Sequence, residues 1–201
     1  MNGGTFRRLP VIIGVAVIAG IGVSASVAQF SGHLIGSGGI IQCTGTLAPG
    51  TYGSVRVPSG QSCTINSSIT IQGNMSVDSG TLHDLGALIT GNLNAGTGSN
   101  LFVSPSGGYS GTNAQIQKNI TVQAANQVNI ASAQVGGSLS VTNSSGSVSI
   151  TNDSVHNNLT VTGNQGSTTV TGNSVGGNAT CSNNASFTGG GNTAGGTNTC
   201  S

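Results

Sequence analysis

Short runs of alternating apolar and polar residues recur along the chain at a nearly constant spacing. In each copy an apolar residue precedes a small polar triplet, and two apolar residues separated by a polar one follow. The clearest copies, 135–141, 155–161 and 175–181, follow one another at a constant interval. Alternation with a period of two residues is typical of half-buried β-strands. The pattern therefore predicts short strands, and no helical periodicity appears after residue 28.

Further copies extend this frame in both directions. One copy begins at Ile116 and another at Ala194, each one position closer to its neighbour than the regular interval, and two earlier copies begin at Ile71 and Ile89. The step from Ile89 to Ile116 is longer than the others by almost half a repeat. We therefore expect the extra residues to form an inserted loop near 104–112.

A second alternating pair follows the first in each repeat. These pairs are Val128 and Ile130, Val148 and Ile150, Thr168 and Val170, and Ala185 and Phe187. Repeats of about 18–20 residues that each carry two or three very short strands fit the stacked coils of a β-solenoid. We predict an all-β, single-stranded parallel β-helix of about eight rungs over residues 43–201.

The beginning of the chain has a different pattern. Arg7 and Arg8 precede an apolar stretch at 11–23, and small residues up to Ala28 offer a cleavage site. This arrangement predicts a signal peptide over 1–28, followed by a lead-in or cap at 29–42. A retained membrane anchor is the alternative, because the apolar stretch is about as long as a short membrane span.

The four cysteines support the same repeat. Cys43 and Cys63 are separated by one full repeat, and Cys181 and Cys200 by one position less. Equivalent positions of adjacent coils lie about 4.8 Å apart, within the Cα separation that a disulfide allows. We predict the disulfides Cys43–Cys63 and Cys181–Cys200, which would suit an oxidising compartment outside the cell. A metal site is the alternative, but no Cys-x-x-Cys pair supports it, and we predict no metal ligand.

One template position is occupied mostly by asparagine. Its members are Asn74, Asn92, Asn119, Asn158 and Asn178, with Ser138 and Thr197 in two other copies. Stacked asparagine amides can hydrogen-bond along the column and tolerate turn geometry. We expect an asparagine ladder whose members are inaccessible, so that the Asn-x-Ser/Thr sequences among them need not be glycosylation sites.

Outward strand positions are rich in threonine and serine. The candidate residues for a ligand or ice face are Thr142, Thr151, Thr160, Thr162, Thr169 and Thr171. We expect the segments Ser140–Thr142, Thr160–Thr162 and Thr180–Ser182 to form one pair of columns, and Ser149–Thr151, Thr169–Thr171 and Ser186–Thr188 another. Such columns resemble the Thr-x-Thr faces of β-solenoid antifreeze proteins. Threonine is, however, also a common strand residue on any solvated face.

Charge is almost absent. Four cationic and three acidic residues give a formal net charge of +1, and removal of Arg7 and Arg8 with the signal peptide would leave too few cations to bind nucleic acid or an anionic membrane surface. The only local group of acid and base residues is Asp78, His83 and Asp84, and the chain has no glutamate. An acid/base pair is conceivable for this group, but we favour a polar loop in an irregular coil. We predict no catalytic residue, no cofactor and no enzymatic activity.

The motif Val175-Gly-Gly-Asn178-x-Thr-Cys181, with the repeat around it, resembles the right-handed parallel β-helix of the pectate-lyase-like class. It also resembles repeats of secreted bacterial proteins without assigned activity. The likeness concerns architecture, and it implies no particular activity.

We therefore expect a secreted, non-enzymatic structural or surface-adhesive protein. It could assemble into homo-oligomers or filaments through its rung ends, or bind a polysaccharide or another cell-surface ligand, with Tyr109 in the inserted loop as a candidate recognition residue. Ice binding through the threonine columns is one alternative. A carbohydrate-binding or degenerate polysaccharide-active β-helix is the other.

Overall fold

The computed structural model describes residues 39–104 and 113–201. The predicted signal peptide, most of the lead-in 29–42, and Tyr109 with most of its loop lie outside the described residues. Within these residues, short strands alternate with turns.

The strands form three parallel sheets of eight strands each in the described part of the chain. Sheet A contains β1 (Ile40–Gln42), β4 (Ser54–Val57), β7 (Met75–Val77), β10 (Leu93–Ala95), β13 (Ile120–Gln123), β16 (Leu139–Thr142), β19 (Leu159–Thr162) and β22 (Ala179–Ser182). Sheet B contains β2 (Gly45–Thr46), β5 (Ser62–Asn66), β8 (Thr81–Leu85), β11 (Asn100–Val103), β14 (Gln127–Ala131), β17 (Val148–Thr151), β20 (Thr168–Thr171) and β23 (Phe187–Gly190). Sheet C contains β3 (Gly50–Tyr52), β6 (Ile69–Ile71), β9 (Leu88–Ile89), β12 (Gln115–Ile116), β15 (Gln134–Val135), β18 (Ser154–Val155), β21 (Ser174–Val175) and β24 (Thr193–Ala194).

The chain visits sheets A, B and C in turn, so every third strand is a hydrogen-bonded neighbour. One strand from each sheet makes a coil, and adjacent coils stack in parallel register. Leu139 pairs with Leu159, and Leu159 pairs with Ala179. The predicted all-β parallel solenoid is therefore confirmed, and the frame of its repeat is correct in these coils.

The inserted loop lies where the repeat predicts it. Ile89 of β9 pairs with Ile116 of β12, although the step between them along the sequence is longer than one repeat. The additional residues follow β11 and precede β12, so the ladder of sheet C continues without interruption.

The core consists of columns of inward side chains, one from each coil. On sheet C the column begins at Tyr52, continues through isoleucines and then valines, and ends at Ala194. These side chains are buried from Tyr52 to Val175. The apolar volume of this column therefore decreases toward the C-terminal coils, and buried polar side chains become frequent there.

The corners that follow the strands of sheets A and B contain residues with left-handed backbone conformation. In the C-terminal coils these are Asn143, Gly163 and Asn183 after sheet A, and Asn152, Gly172 and Gly191 after sheet B. In earlier coils Ser79, Ala124 and Ser132 adopt the same conformation. Asparagine and glycine are the residues that tolerate a positive φ at least cost. The recurrence of these two residue types thus follows from the bend that closes each coil.

Candidate functional site

The six candidate threonines lie on two different sheets. Sheet A holds Thr142, Thr160 and Thr162, and sheet B holds Thr151, Thr169 and Thr171. All six side chains are partly exposed and alternate with buried neighbours. They therefore form two separate faces rather than one.

One of the predicted threonine columns is wrong in its last member. The register pairs Thr169 with Thr188 and Thr171 with Gly190, so Ser186 does not stack beneath Thr169. Ser186 has a φ of 45°, which places it in a turn before β23 begins at Phe187. The alternation that begins at Ala185 is therefore displaced by two residues from the column that the repeat predicts.

The predicted asparagine ladder is present along the turn that precedes sheet A. The backbone N–H of Asn92 donates to Asn74 Oδ1 at 2.9 Å, and that of Asn178 donates to Asn158 Oδ1 at 2.9 Å. Asn119 accepts in the same way from the N–H of Ser138 at 2.8 Å. Each side chain thus supports the backbone of the next coil.

The expectation that these asparagines are inaccessible is wrong. Asn74, Asn119, Asn158 and Asn178 are exposed, and Asn92 is half-buried. The ladder runs along an outer corner of the solenoid, where the side-chain oxygen bonds the next coil while the rest of the side chain faces solvent.

Two internal ladders, which the sequence analysis missed, lie in the corners that follow sheets A and B. In the first, the N–H of Ser144 donates to Asn164 Oδ1 at 2.9 Å, and the N–H of Asn164 donates to Asn184 Oδ1 at 3.1 Å. In the second, the N–H of Asp153 donates to Asn173 Oδ1 at 2.8 Å. The N–H of Asn173 in turn donates to Asn192 Oδ1 at 3.0 Å.

The amide nitrogens of these internal asparagines reach back to strand carbonyls. Asn173 Nδ2 donates to the Ile150 carbonyl at 3.0 Å, and Asn192 Nδ2 donates to the Val170 carbonyl at 2.7 Å. Asn184 Nδ2 makes the equivalent bond to Val161 at 2.7 Å. An asparagine or glycine, which has positive φ in the structure, precedes each inward residue in these coils, but this residue pair alone does not distinguish the ladders from ordinary turns.

Two acids are buried in the described core. Asp84 is 0% exposed, and its Oδ1 accepts from the N–H groups of Gly86 at 3.1 Å and Ala87 at 2.8 Å. Burial raises the pKa of Asp84 to about 7, against the lowering effect of these two bonds. Burial likewise raises the pKa of Asp153 to about 7.

The acid and base residues suggested by the sequence do not converge on one site. Asp78 forms an ion pair with Arg56 on the surface. His83 and Asp84 are consecutive on β8, so His83 faces outward while Asp84 faces the core. The His83 ring instead stacks on the Phe102 ring of the next coil, with 4.9 Å between ring centroids.

A shallow groove of about 450 Å³ runs along the outer face of sheet C. Three glutamines and one histidine contribute polar groups to its lining, which also includes Ser154. These residues are Gln115, Gln117, Gln134 and His156. The groove thus combines neutral amide groups, one hydroxyl and one imidazole with apolar surface from Ile116, Val135 and Gly136.

Both predicted disulfides are present. Cys181 pairs with Cys200 at a Cα separation of 4.9 Å, and the parallel bridge between Ala179 and Asn198 places the two cysteines at equivalent positions of adjacent coils. Cys43 pairs with Cys63 at 5.5 Å, but the register partner of Cys63 is Gly45. The first link therefore crosses a corner between sheets, because the first coil is shorter than the repeat from which the pairing was predicted.

The segment around Cys200 covers the C-terminal end of the core. Cys200 is 0% exposed, and its carbonyl accepts from Asn192 Nδ2 at 2.6 Å. Asn198 Nδ2 donates to the Asn192 carbonyl at 2.9 Å. The final residues thus cap the last coil through both a disulfide and buried hydrogen bonds.

Neither a metal-binding group nor a membrane-spanning helix occurs in the described residues. No three histidine, cysteine, aspartate or glutamate side chains lie together there in a way that could hold a metal ion. No helix in residues 39–104 or 113–201 is long and apolar enough to cross a membrane.

Comparison with protein-family models, with curated proteins and with solved structures gave no significant match.

Proposed function

We propose that this protein is a secreted, non-enzymatic β-solenoid that acts as a rigid structural or adhesive module outside the cell. The observation that carries the proposal is the pair of disulfides, one in the first coil and one that fastens the last. Disulfides persist in oxidising compartments, and here they staple a thin core that stacks coil by coil. In the finer form of this proposal, the solenoid is right-handed and belongs with the pectate-lyase-like β-helices and secreted bacterial repeat proteins.

The outer faces support a structural or adhesive role. Their strand residues are mostly threonine, serine and asparagine, and the chain as a whole has 3% charged residues. The buried acids Asp84 and Asp153 take part in backbone hydrogen bonds rather than facing solvent. A neutral, repetitive surface suits contact with a neutral polymer or with other copies of the rod.

Assembly is tested by imaging the secreted mature protein over a concentration series in the electron microscope, with light scattering on the same samples. Because Cys200 and its neighbours cover the last coil, we expect separate short rods. A Cys181→Ala, Cys200→Ala double variant serves as the comparison, since its uncovered end should associate more readily. If the wild type instead forms ordered filaments, its function is assembly through the rung ends.

Ice binding is a second candidate, favoured by the stacking of Ser140, Thr160 and Thr180 in register on sheet A. Sheet B offers Ser149, Thr169 and Thr188 as a separate face. Thr160→Tyr and Thr169→Tyr are matched variants, one on each sheet. If the protein inhibits ice recrystallisation, only the variant on the active face should lose that activity.

Polysaccharide binding is favoured by the groove on sheet C. Amide groups bind neutral sugars by hydrogen bonding, and Gln134 lies within the groove. Affinity electrophoresis in gels containing neutral polysaccharides tests this candidate. Gln134→Ala should restore free migration, while Gln123→Ala, on sheet A, should not.

A further inference from the structure

Asp153 occupies a position at which the next two coils carry asparagine. The N–H of Ala133 donates to Asp153 Oδ1 at 2.7 Å, just as the N–H of Asp153 donates to Asn173 Oδ1. Asn173 and Asn192 continue the same column. The carboxyl group of Asp153 is therefore a structural equivalent of the two amides.

The second polar atom of each amide in the internal ladders has a defined partner. Asn173 Nδ2 donates to Ile150, 23 residues earlier, and Asn184 Nδ2 donates to Val161, also 23 residues earlier. The same offset of 23 residues makes the Ile130 carbonyl the expected hydrogen-bond partner of Asp153 Oδ2. Ile130 pairs in register with Ile150, so the two carbonyls occupy equivalent places in adjacent coils.

Asp153 Oδ2 is buried and makes no hydrogen bond of normal geometry within the described residues, although the backbone N–H of Thr151 lies near enough to the carboxyl group to oppose the rise of its pKa. An ionised carboxylate only accepts hydrogen bonds, whereas the asparagine amides at this place in the next two coils donate to a carbonyl oxygen. A neutral carboxylic acid has one O–H group and can donate in the same way. Leaving a buried charge without a partner would instead be costly.

We propose that Asp153 is held as a neutral carboxylic acid whose Oδ2–H donates to the Ile130 carbonyl, and that its ionisation releases a latch between the coils on either side. The proton takes the place of the amide hydrogen that Asn173 supplies in the next coil. Loss of the proton would leave an anion facing a carbonyl oxygen, which favours local opening of the corner between sheets B and C.

No other ionisable group in the described structure faces Asp153 from the strands around it. The neighbouring strands β14, β15, β17, β18, β20 and β21 carry no lysine, arginine, histidine, aspartate, glutamate, tyrosine or cysteine. The strands of sheet A in the same coils, β13, β16 and β19, also carry none. His156, the nearest ionisable residue along the chain, is exposed, as is Lys118 in the turn before β13.

The direction of the pH effect follows from burial. Burial raises the pKa of Asp153 from 3.8 to about 7, so the folded state retains a proton that the unfolded state releases. The contribution of Asp153 to the free energy of unfolding is fully present below the pKa that this residue has in the unfolded chain. It decreases as the pH rises toward about 7. Above that value the loss is complete, and the latch is open more often.

The test compares the full chain with Asp153→Asn at about pH 4 and about pH 8. The introduced amide supplies the donor without titrating, so the variant should be more stable than the wild type at the higher pH. The ratio of the unfolding equilibrium constant of the wild type to that of the variant should increase at least about tenfold from the lower to the higher pH. An advantage that does not change with pH would overturn the proposal.

Asn173→Asp is the reciprocal variant, and it keeps the test decisive if Asp153→Asn does not fold. It places a second acid in the same column, so its loss of stability should be larger at the higher pH. A loss that is equal at both pH values would contradict the proposed equivalence of the two positions.

Infrared spectroscopy of chain labelled with carbon-13 aspartate reads the protonation state directly. At about pH 6 the wild type should show a protonated-carboxyl band that weakens in Asp153→Asn. The absence of any difference in this band would show that Asp153 is ionised and would refute the assignment. Amide hydrogen exchange at Ala133, compared between the two chains at about pH 8, should be faster in the wild type; equal rates would rule out the latch.

Discussion

The Asn126 carbonyl lies directly against Gly146 in the next coil, so a Cβ atom added to Gly146 would clash with that oxygen. The same closeness recurs at Gly166, where an added Cβ would clash with the Gly146 carbonyl. These glycines lie in the turns between sheets A and B. Close backbone stacking, rather than a need for positive φ, is what requires glycine there.

Gly146→Ala should therefore destabilise the solenoid by about 2 kcal/mol or more, because the backbone of one coil must move away from the next. Gly96→Ala is the matched control, since its added Cβ would meet the nearest atom at an ordinary 3.7 Å. Chemical denaturation of both variants measures the difference. Equal stability of the two would show that the coils can separate freely at this corner.

Asparagines of the internal ladders and of the exposed ladder should contribute differently to the free energy of unfolding. Asn173→Ala leaves the buried Asp153 N–H without its acceptor and removes the Nδ2 bond to the Ile150 carbonyl, and we expect a loss of about 1–3 kcal/mol. Asn158→Ala removes a bond from the exposed ladder, where water can replace the side-chain oxygen, and should cost less than about 1 kcal/mol. Urea denaturation compares them, and a larger loss for Asn158→Ala would reverse the assignment of the two ladders.

The repeat predicts the fold well because every coil must satisfy the same stacking constraints. Residues at the same position of the repeat stack in one column, as do Leu139, Leu159 and Ala179. The internal ladders could not be separated from ordinary turns in the same way. Asparagine is common in turns, so the sequence does not distinguish Asn164 and Asn173 from ordinary turn residues. Only the corner geometry directs their side chains inward.

The ends of the solenoid were harder to predict, since the repeat is imperfect there. Cys43 pairs with Cys63 across a corner, although their spacing of one full repeat suggested stacked positions. At the other end, the positive φ of Ser186 shifts β23 relative to the apparent alternation. The candidate recognition residue Tyr109 stays a prediction, because it lies outside the described residues.

Removal of the C-terminal disulfide tests the importance of the cap. The Cys181→Ala, Cys200→Ala double variant loses a cross-link between residues 19 apart, and we expect a loss of about 3 kcal/mol. The hydrogen bond from Asn192 Nδ2 to the Cys200 carbonyl should weaken with it, so hydrogen exchange should increase first in β23 and β24. Unchanged protection in these two strands would show that the buried hydrogen bonds suffice to hold the cap.

Asp84 should make its own contribution to the pH dependence of stability. It lies on β8 in the N-terminal half of the solenoid and in another column of the core than Asp153. Burial raises its pKa from 3.8 to about 7, so its contribution is fully present below about pH 4 and is lost as the pH rises toward 7. The free energy of unfolding should fall by about 1.4 kcal/mol per pH unit in that range on account of this residue. Asp84→Asn should remove this part of the slope while retaining an oxygen to accept from Gly86 and Ala87.

Asp78→Asn is the control for that experiment, since Asp78 is a partly exposed surface residue that pairs with Arg56. It should leave the decrease between about pH 4 and 7 in place, because both buried acids, Asp84 and Asp153, are unchanged in this variant. The Asp84→Asn, Asp153→Asn double variant should lose most of the decrease, since the two buried acids lie in different coils and their effects should add. A decrease that persists in the double variant would mean that some group other than these two acids makes the solenoid sensitive to pH.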